Sequence, residues 1–214
     1  MIRMIIAIDG PAAAGKGTLA RKLAAEFNYA YLDTGALYRA VGLSLLRSGH
    51  NPMDAAKAEE ASATLDTTLF TDPALRAEST GAAASKVASM PIVRHNLLNF
   101  QKNFASNPPE GKAGAVLDGR DIGTVVCPDA DVKLFITASA EVRANRRTAE
   151  MKARGDRVDF DEILADVKAR DERDMNRAEA PLKPAEDALL LDTTELDIDA
   201  VFLRAVQFVK AAVQ

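Results

Sequence analysis

The 214-residue chain has a single cysteine, Cys127, so no intramolecular disulfide can form, and that scarcity fits a reducing compartment. Cys127 ends the apolar run Val125-Val126-Cys127 before Pro128 and is expected to pack as a small buried hydrophobe. No segment approaches the roughly 20 apolar residues of a membrane span. The opening run from Met1 to Ile8 is apolar for only eight residues before Asp9-Gly10, too short for a signal peptide, and lacks a small-residue cleavage site. These absences lead us to expect a soluble, cytoplasmic protein. Positive charge is also scarce: 27 Lys and Arg against 31 Asp and Glu leave a net charge of -4. That balance argues against a general nucleic-acid or membrane binder, so an anionic ligand would need locally clustered arginines. The two histidines, His50 and His95, are assigned no role. Internal repeats and low-complexity linkers are missing, although Asn107-Pro108-Pro109 marks a firm turn. No exposed apolar stripe demands a partner, so a monomer is expected.

What is present reads as an alternating α/β chain of one domain with insertions. Met4–Ile8, Ala115–Leu117, Val132–Ile136 and Leu189–Leu191 are short apolar runs, the third interrupted by Lys133, each ending at or near a polar or glycine turn. Strands buried on both faces of a parallel sheet have that appearance. Tyr29–Leu32 before Asp33 is a weaker fifth. Between them, Thr18–Phe27 carries Leu19, Leu23 and Phe27 four apart, an apolar helical stripe. Phe160–Met175 places Ile163, Leu164 and Val167 on one face, and Asp199–Val213 forms a closing helix through Val201, Phe202, Ala205, Val206 and Val209. Two regions interrupt the alternation: Gly35–Gly111, predominantly helical without an obvious buried strand, and the short charged segment Glu150–Asp159. Both read as additions on the ligand-binding edge of the sheet.

The strongest motif is Gly10-Pro11-Ala12-Ala13-Ala14-Gly15-Lys16-Gly17-Thr18, between a strand and a helix. Backbone N–H groups can turn inward around a phosphate only where small residues and glycines let the chain curl tightly. The next helix points its N-terminus at the same anion, and Lys16 adds a mobile point charge. The spacing matches the P-loop pattern except that Gly17 stands at the usual Ser/Thr place and Thr18 follows it. The hydroxyl normally given to magnesium is thus displaced, and the metal would be held mostly through water. No Asn-Lys-x-Asp base-reading motif of a GTPase occurs, nor the long second half of a motor. A small-molecule kinase remains.

Bringing two polyanions into bonding distance requires cations around both. Arg120, in Asp118-Gly119-Arg120-Asp121, follows a strand's C-terminal end, where open parallel sheets bind ligands. Arg143, Arg146 and Arg147 share a helical face by spacing, as do Arg170, Asp174 and Arg177, while Arg154 and Arg157 flank Gly155. Asp118 ends its strand where P-loop proteins place the acid that orients magnesium. No base is needed, because a nucleoside monophosphate with a second pKa of about 6 is already nucleophilic at neutral pH.

Four runs together resemble the bacterial cytidylate kinases, a family of nucleoside-monophosphate kinases. They are Ile8–Pro11 with Gly15–Thr18, Leu32–Arg39, Asp118–Val126 and Arg170–Ala178, and the likeness spans nearly the whole chain. The resemblance implies a P-loop NTPase-type three-layer α/β fold around a five-stranded parallel sheet. It also implies a core at 1–33, 111–143 and 160–214, a helical monophosphate-binding region at 34–110 and a short lid at 144–159. By the same resemblance Arg39 and Arg120 hold the acceptor phosphate, and Thr34, Arg94, Asp121 and Arg177 face the cytosine edge. Ser85, Arg170 and Asp174 face the ribose, and Arg146 reaches the ATP phosphates and the moving group. The implied reaction passes the γ-phosphate of ATP, with Mg2+, to CMP or dCMP. Two departures stand out: 66–81 is too short and strand-poor for the three-stranded insert common in the family, and Thr34 replaces a frequent serine. Two rivals stay open, namely a P-loop kinase for UMP, AMP or shikimate, and a nucleotide-binding module without turnover.

Overall fold

The computed structural model describes residues 4–212; Met1–Arg3 and Gln214, with Val213 of the expected closing helix, lie outside the described residues. Two compact units divide the chain, one formed by Met1–Tyr31 with Pro108–Gln214 and the other by Leu32–Asn107.

The first unit is built on a five-stranded sheet. Its strands are β1 (Met4–Asp9), β2 (Ala30–Asp33, which runs on into the second unit), β3 (Gly114–Gly119), β4 (Val132–Thr137) and β5 (Leu189–Asp192), in the order β2-β3-β1-β4-β5. Strand β1 pairs in parallel with β3 and β4, and β4 with β5. All six residues of β3 are buried, as are Ile6–Asp9 of β1, which explains why these strands read as unbroken apolar runs. Helix α1 (Lys16–Phe27) buries Leu19, Ala20, Leu23 and Ala24, and α8 (Ile198–Ala212) buries Val201, Ala205, Val206 and Val209. Both stripes pack with Ile6, Ile8, Val116, Val132, Leu134 and Ile136 in one core, where truncating a leucine to alanine costs about 2–5 kcal/mol. Helix α1 stops at Asn28, whose left-handed backbone (φ 54°) lets its N–H reach the carbonyls of Ala24 and Ala25.

Helices α6 (Ala140–Ala153) and α7 (Phe160–Asn176) pack through Ala144, Met151, Ile163 and Val167. Helix α6 is capped by Ser139, and α7 by Asp159, which accepts from the amides of Asp161 and Glu162. Most of 144–159 is therefore helix, leaving 154–159 as a loop. Arg177, expected on one helical face with Arg170 and Asp174, lies beyond the end of α7 with extended backbone (ψ 142°). The correction follows from the helix stopping at Asn176, one residue before the spacing rule would need it.

The second unit is helical: α2 (Thr34–Arg47), α3 (Ala55–Ala63), α4 (Glu78–Val87) and α5 (Pro91–Ser106), around Leu37, Val41, Leu45, Val87, Val93 and Leu97. The stretch too short for a three-stranded insert forms two 3₁₀ turns, Thr67–Thr71 and Pro73–Arg76. Each is started by an aspartate, Asp66 accepting from the Thr68 amide and Asp72 from the Ala74 amide. Among the described residues no helix is long and apolar enough to cross a membrane.

Candidate active site

In the strand order β2-β3-β1-β4-β5 the connection out of β1 runs one way, past β3 to β2, and the connection out of β3 runs the other way, past β1 to β4, so the C-terminal ends of β1 and β3 flank a switch point. The phosphate loop sits there. Gly10 has φ 146°, and a Cβ at that position would lie 1.9 Å from the backbone oxygen of Ile136 on β4, so only glycine fits. Ala13 is held at φ 59° and Gly15 at φ 91°. A left-handed alanine is strained, and such strain gathers at ligand clamps. Lys16 opens α1, is buried, and folds its Nζ back onto the Pro11 carbonyl at 2.7 Å. Burial lowers its pKa, nearby Arg120 lowers it further, and Asp118, Asp9 and Asp174 pull the other way. A polyphosphate in the loop would supply the counter-charge that restores the ammonium.

Arg143 secures this loop from behind. Its side chain is 5% exposed; Nε donates to the Ala138 carbonyl at 2.9 Å, Nη1 to the Ala12 carbonyl at 3.3 Å, and both terminal nitrogens to the Asp171 carboxylate of α7. Helical spacing grouped Arg143 with Arg146 and Arg147 but gave no sign that it faces inward. Arg146 binds Thr193, Nη1 to the hydroxyl at 2.9 Å and Nη2 to the carbonyl at 2.7 Å. Both line a cavity of about 390 Å³ between Gly15, Thr18 and Leu19 on one side and Leu196 and Ile198 on the other. Thr193 was missed from the sequence; the one available signal is that Thr193-Thr194 directly follows an apolar strand.

At the end of β3, Asp118 is buried, and its Oδ1 accepts from the Tyr31 hydroxyl at 3.2 Å. A Cβ on Gly17 would stand 3.4 Å from Asp118 Oδ2, 3.4 Å from Arg21 Nη1 and 3.6 Å from the Tyr31 hydroxyl, so the missing side chain leaves a space of about methyl size among these groups. Next in the chain, Arg120 pairs with Asp174 of α7 at 2.9 Å, and Asp121 lies 3.5 Å from Arg177. Arg170 pairs with Asp166 one turn earlier on α7 at 2.8 Å. The end of β3 and the end of α7 thus meet through two acid–guanidinium pairs.

In the helical unit, Thr34 is the buried first residue of α2, which Asp33 caps through the Ala36 amide. Arg39 donates to the Leu75 carbonyl at 3.2 Å. Arg94 donates to the Ala88 carbonyl at 3.3 Å and lies 5.7 Å from the ring centre of Tyr38, within cation–π range. Ser85 is half-buried on α4.

A curled phosphate loop at the switch point of a parallel sheet, with arginines at the ends of later elements, defines the P-loop kinase class of phosphotransferases. The family model for cytidylate kinase matches residues 6–211. A cytidylate kinase of Paramagnetospirillum magneticum is 59% identical over 94% of this chain and 95% of its own length. One from Rhodopseudomonas palustris is 55% identical over 97% and 96%. The fold is similar to that of an uncharacterised protein from Eubacterium ventriosum, with TM-score 0.54 and 17% identity over 98% of this chain and 99% of that one. The chain belongs to the cytidylate kinase family.

Proposed function

We propose that this protein transfers the γ-phosphoryl group of ATP to CMP or dCMP, giving ADP and CDP or dCDP, as a cytoplasmic monomer. The observation that carries the acceptor assignment is the pairing of buried Asp121 with Arg177 beside the Arg120–Asp174 pair. Cytosine offers an N4 amino donor next to N3 and O2 acceptors, matching a carboxylate next to a guanidinium. Uracil would turn O4 toward the carboxylate, and a site built on such hydrogen bonds rejects the wrong base by up to about 10⁴-fold or more. The names of the relatives support the same acceptor.

The phosphate loop Gly10–Thr18 would hold the ATP phosphates, and the cavity beside Thr193 would take the adenosine. Lys16, Arg120 and Arg146 would face the charge that spreads over the moving group. An acceptor phosphate oxygen forms the new bond to the γ-phosphorus as the bond to the bridging oxygen breaks, in line and without a base. Thr34, Arg39, Ser85 and Arg94 of the helical unit, with Arg170, Asp174 and Arg177, are assigned to the acceptor by family resemblance. Asp118, buried at the end of β3, would hold Mg2+ through water; when bound, that ion neutralises phosphate charge. A lid over 144–159 would exclude water.

A coupled ADP-release assay over CMP, dCMP, UMP, AMP and shikimate tests the proposal. The highest kcat/KM is expected for CMP or dCMP. A higher value for another acceptor, or ATP binding without acceptor-dependent ADP release, rejects it.

A further inference from the structure

Asp9 takes no part in the roles above, yet it is a carboxylate buried at the end of the central strand. Burial pushes it up to about 6; the Gly123 and Ile122 amides pull it down, Asp121 raises it further, and Lys16 lowers it. Retaining such a group at a cost in stability calls for a purpose. Its two oxygens each accept one backbone N–H at 2.7 Å, Oδ1 from Ile122 and Oδ2 from Gly123. These amides open the π-helical turn Ile122–Val126 and have no partner within it.

The residue placed to cap that turn is Asp121, immediately before it. Asp121 makes no side-chain cap; its backbone carbonyl accepts from Val125 and Val126, while its carboxylate faces Arg177. The cap comes instead from Asp9, 113 positions away in sequence. We propose that Asp9 is a positioning residue: by capping this turn it leaves the Asp121 carboxylate to the acceptor base and ties Arg120-Asp121 to Gly10, the first residue of the phosphate loop. The inference rests on the reading of the chain as a CMP kinase and adds to it a determinant of base choice outside the base-reading residues.

Two variants test it. Asp9→Asn keeps the size but turns an amide NH₂ toward one of the two N–H donors. Gly123→Ala keeps the N–H but crowds the turn that Asp9 caps, since its Cβ would stand 3.1 Å from Lys133 Cδ and in contact with Asp9 Oδ2 at 3.4 Å. The readouts are kcat/KM for CMP and for UMP, and the ATP Kd by calorimetry. Asp9→Asn is expected to lower the CMP-to-UMP ratio by about tenfold or more, the scale of one lost charge-assisted hydrogen bond, and Gly123→Ala to lower it in the same direction, with ATP Kd within about threefold for both. An unchanged ratio in a folded variant, or a loss shared equally by ATP and CMP, overturns the proposal. A wild-type enzyme indifferent to CMP and UMP rejects the functional reading itself, a result visible before any variant is made. If Asp9→Asn does not fold, Gly123→Ala carries the same reading.

Discussion

Gly10→Ala adds one methyl group where β1 passes into the phosphate loop. Its carbon would lie 1.9 Å from the Ile136 oxygen and 3.0 Å from the Ile136 carbonyl carbon, both backbone atoms of β4. Neither can rotate away as a side chain could, so the strand or the loop must move. A residue with a Cβ at φ 146° costs about 1–3 kcal/mol in backbone strain, and overpacking adds typically 1–3 kcal/mol. The expected loss is about 2–6 kcal/mol, a large part of the roughly 5–15 kcal/mol that holds a typical domain folded. With a urea slope of about 3 kcal/mol per molar, the midpoint should fall by about 1–2 M. The chain contains no tryptophan, so far-UV circular dichroism is the natural probe. ATP uptake should weaken as well, because the displaced atoms begin the phosphate loop. A midpoint within about 0.3 M of wild type, with unchanged ATP affinity, would refute the close approach of Gly10 to β4.

Arg143→Ala removes the inward guanidinium from Asp171, Ala138 and Ala12, and breaking a buried pair of this kind costs about 3–5 kcal/mol. Calorimetry should record a Tm drop on the order of 10 °C, and a drop under about 2 °C would remove Arg143 as the loop's support. Arg146→Ala is expected to lower turnover by on the order of 10³, the scale of an arginine finger. Turnover within about tenfold of wild type would leave Arg146 only as a wall of the cavity beside Thr193. Arg177→Ala should weaken CMP much more than ATP; equal loss for both would reject it as a base reader. Asp9 titrates at about 6 in the fold against 3.8 as its ordinary value, so the folded protein binds the extra proton between them. Its contribution is present below the lower value and lost as pH rises through 6, by about 3 kcal/mol. The difference in urea stability between wild type and Asp9→Asn should therefore shift against wild type by about that amount from pH 4 to pH 7.5. No shift, or one of opposite sign, would contradict the buried, desolvated carboxyl.

The five strands, the stripe of α1 and the phosphate loop were legible in the chain because each depends on neighbours in sequence. Strands β1 and β3, buried along most of their length, read as apolar runs, although β5 leaves Leu190 exposed; Leu19 and Leu23 reveal a helix by their spacing, and Gly10, Gly15 and Lys16 form one curl of backbone. Periodicity also brought out the arginines but could not say what each would meet. Arg143 turned inward to the carbonyls of Ala12 and Ala138, while Arg146, three residues on, went to Thr193. Arg177 fell beyond its helix, which ends at Asn176 with no glycine to mark the stop, so spacing alone read one residue too far. Thr193 reached the phosphate-loop cavity only through the placement of β5 next to β4. The cap that Asp9 gives to Ile122 and Gly123 leaves no trace in sequence either, since it exists only once β1 lies beside β3 in register. Chain-local chemistry specified the elements and the loop; which side chains share a site was decided by strand order and register, because those bring together residues more than a hundred positions apart.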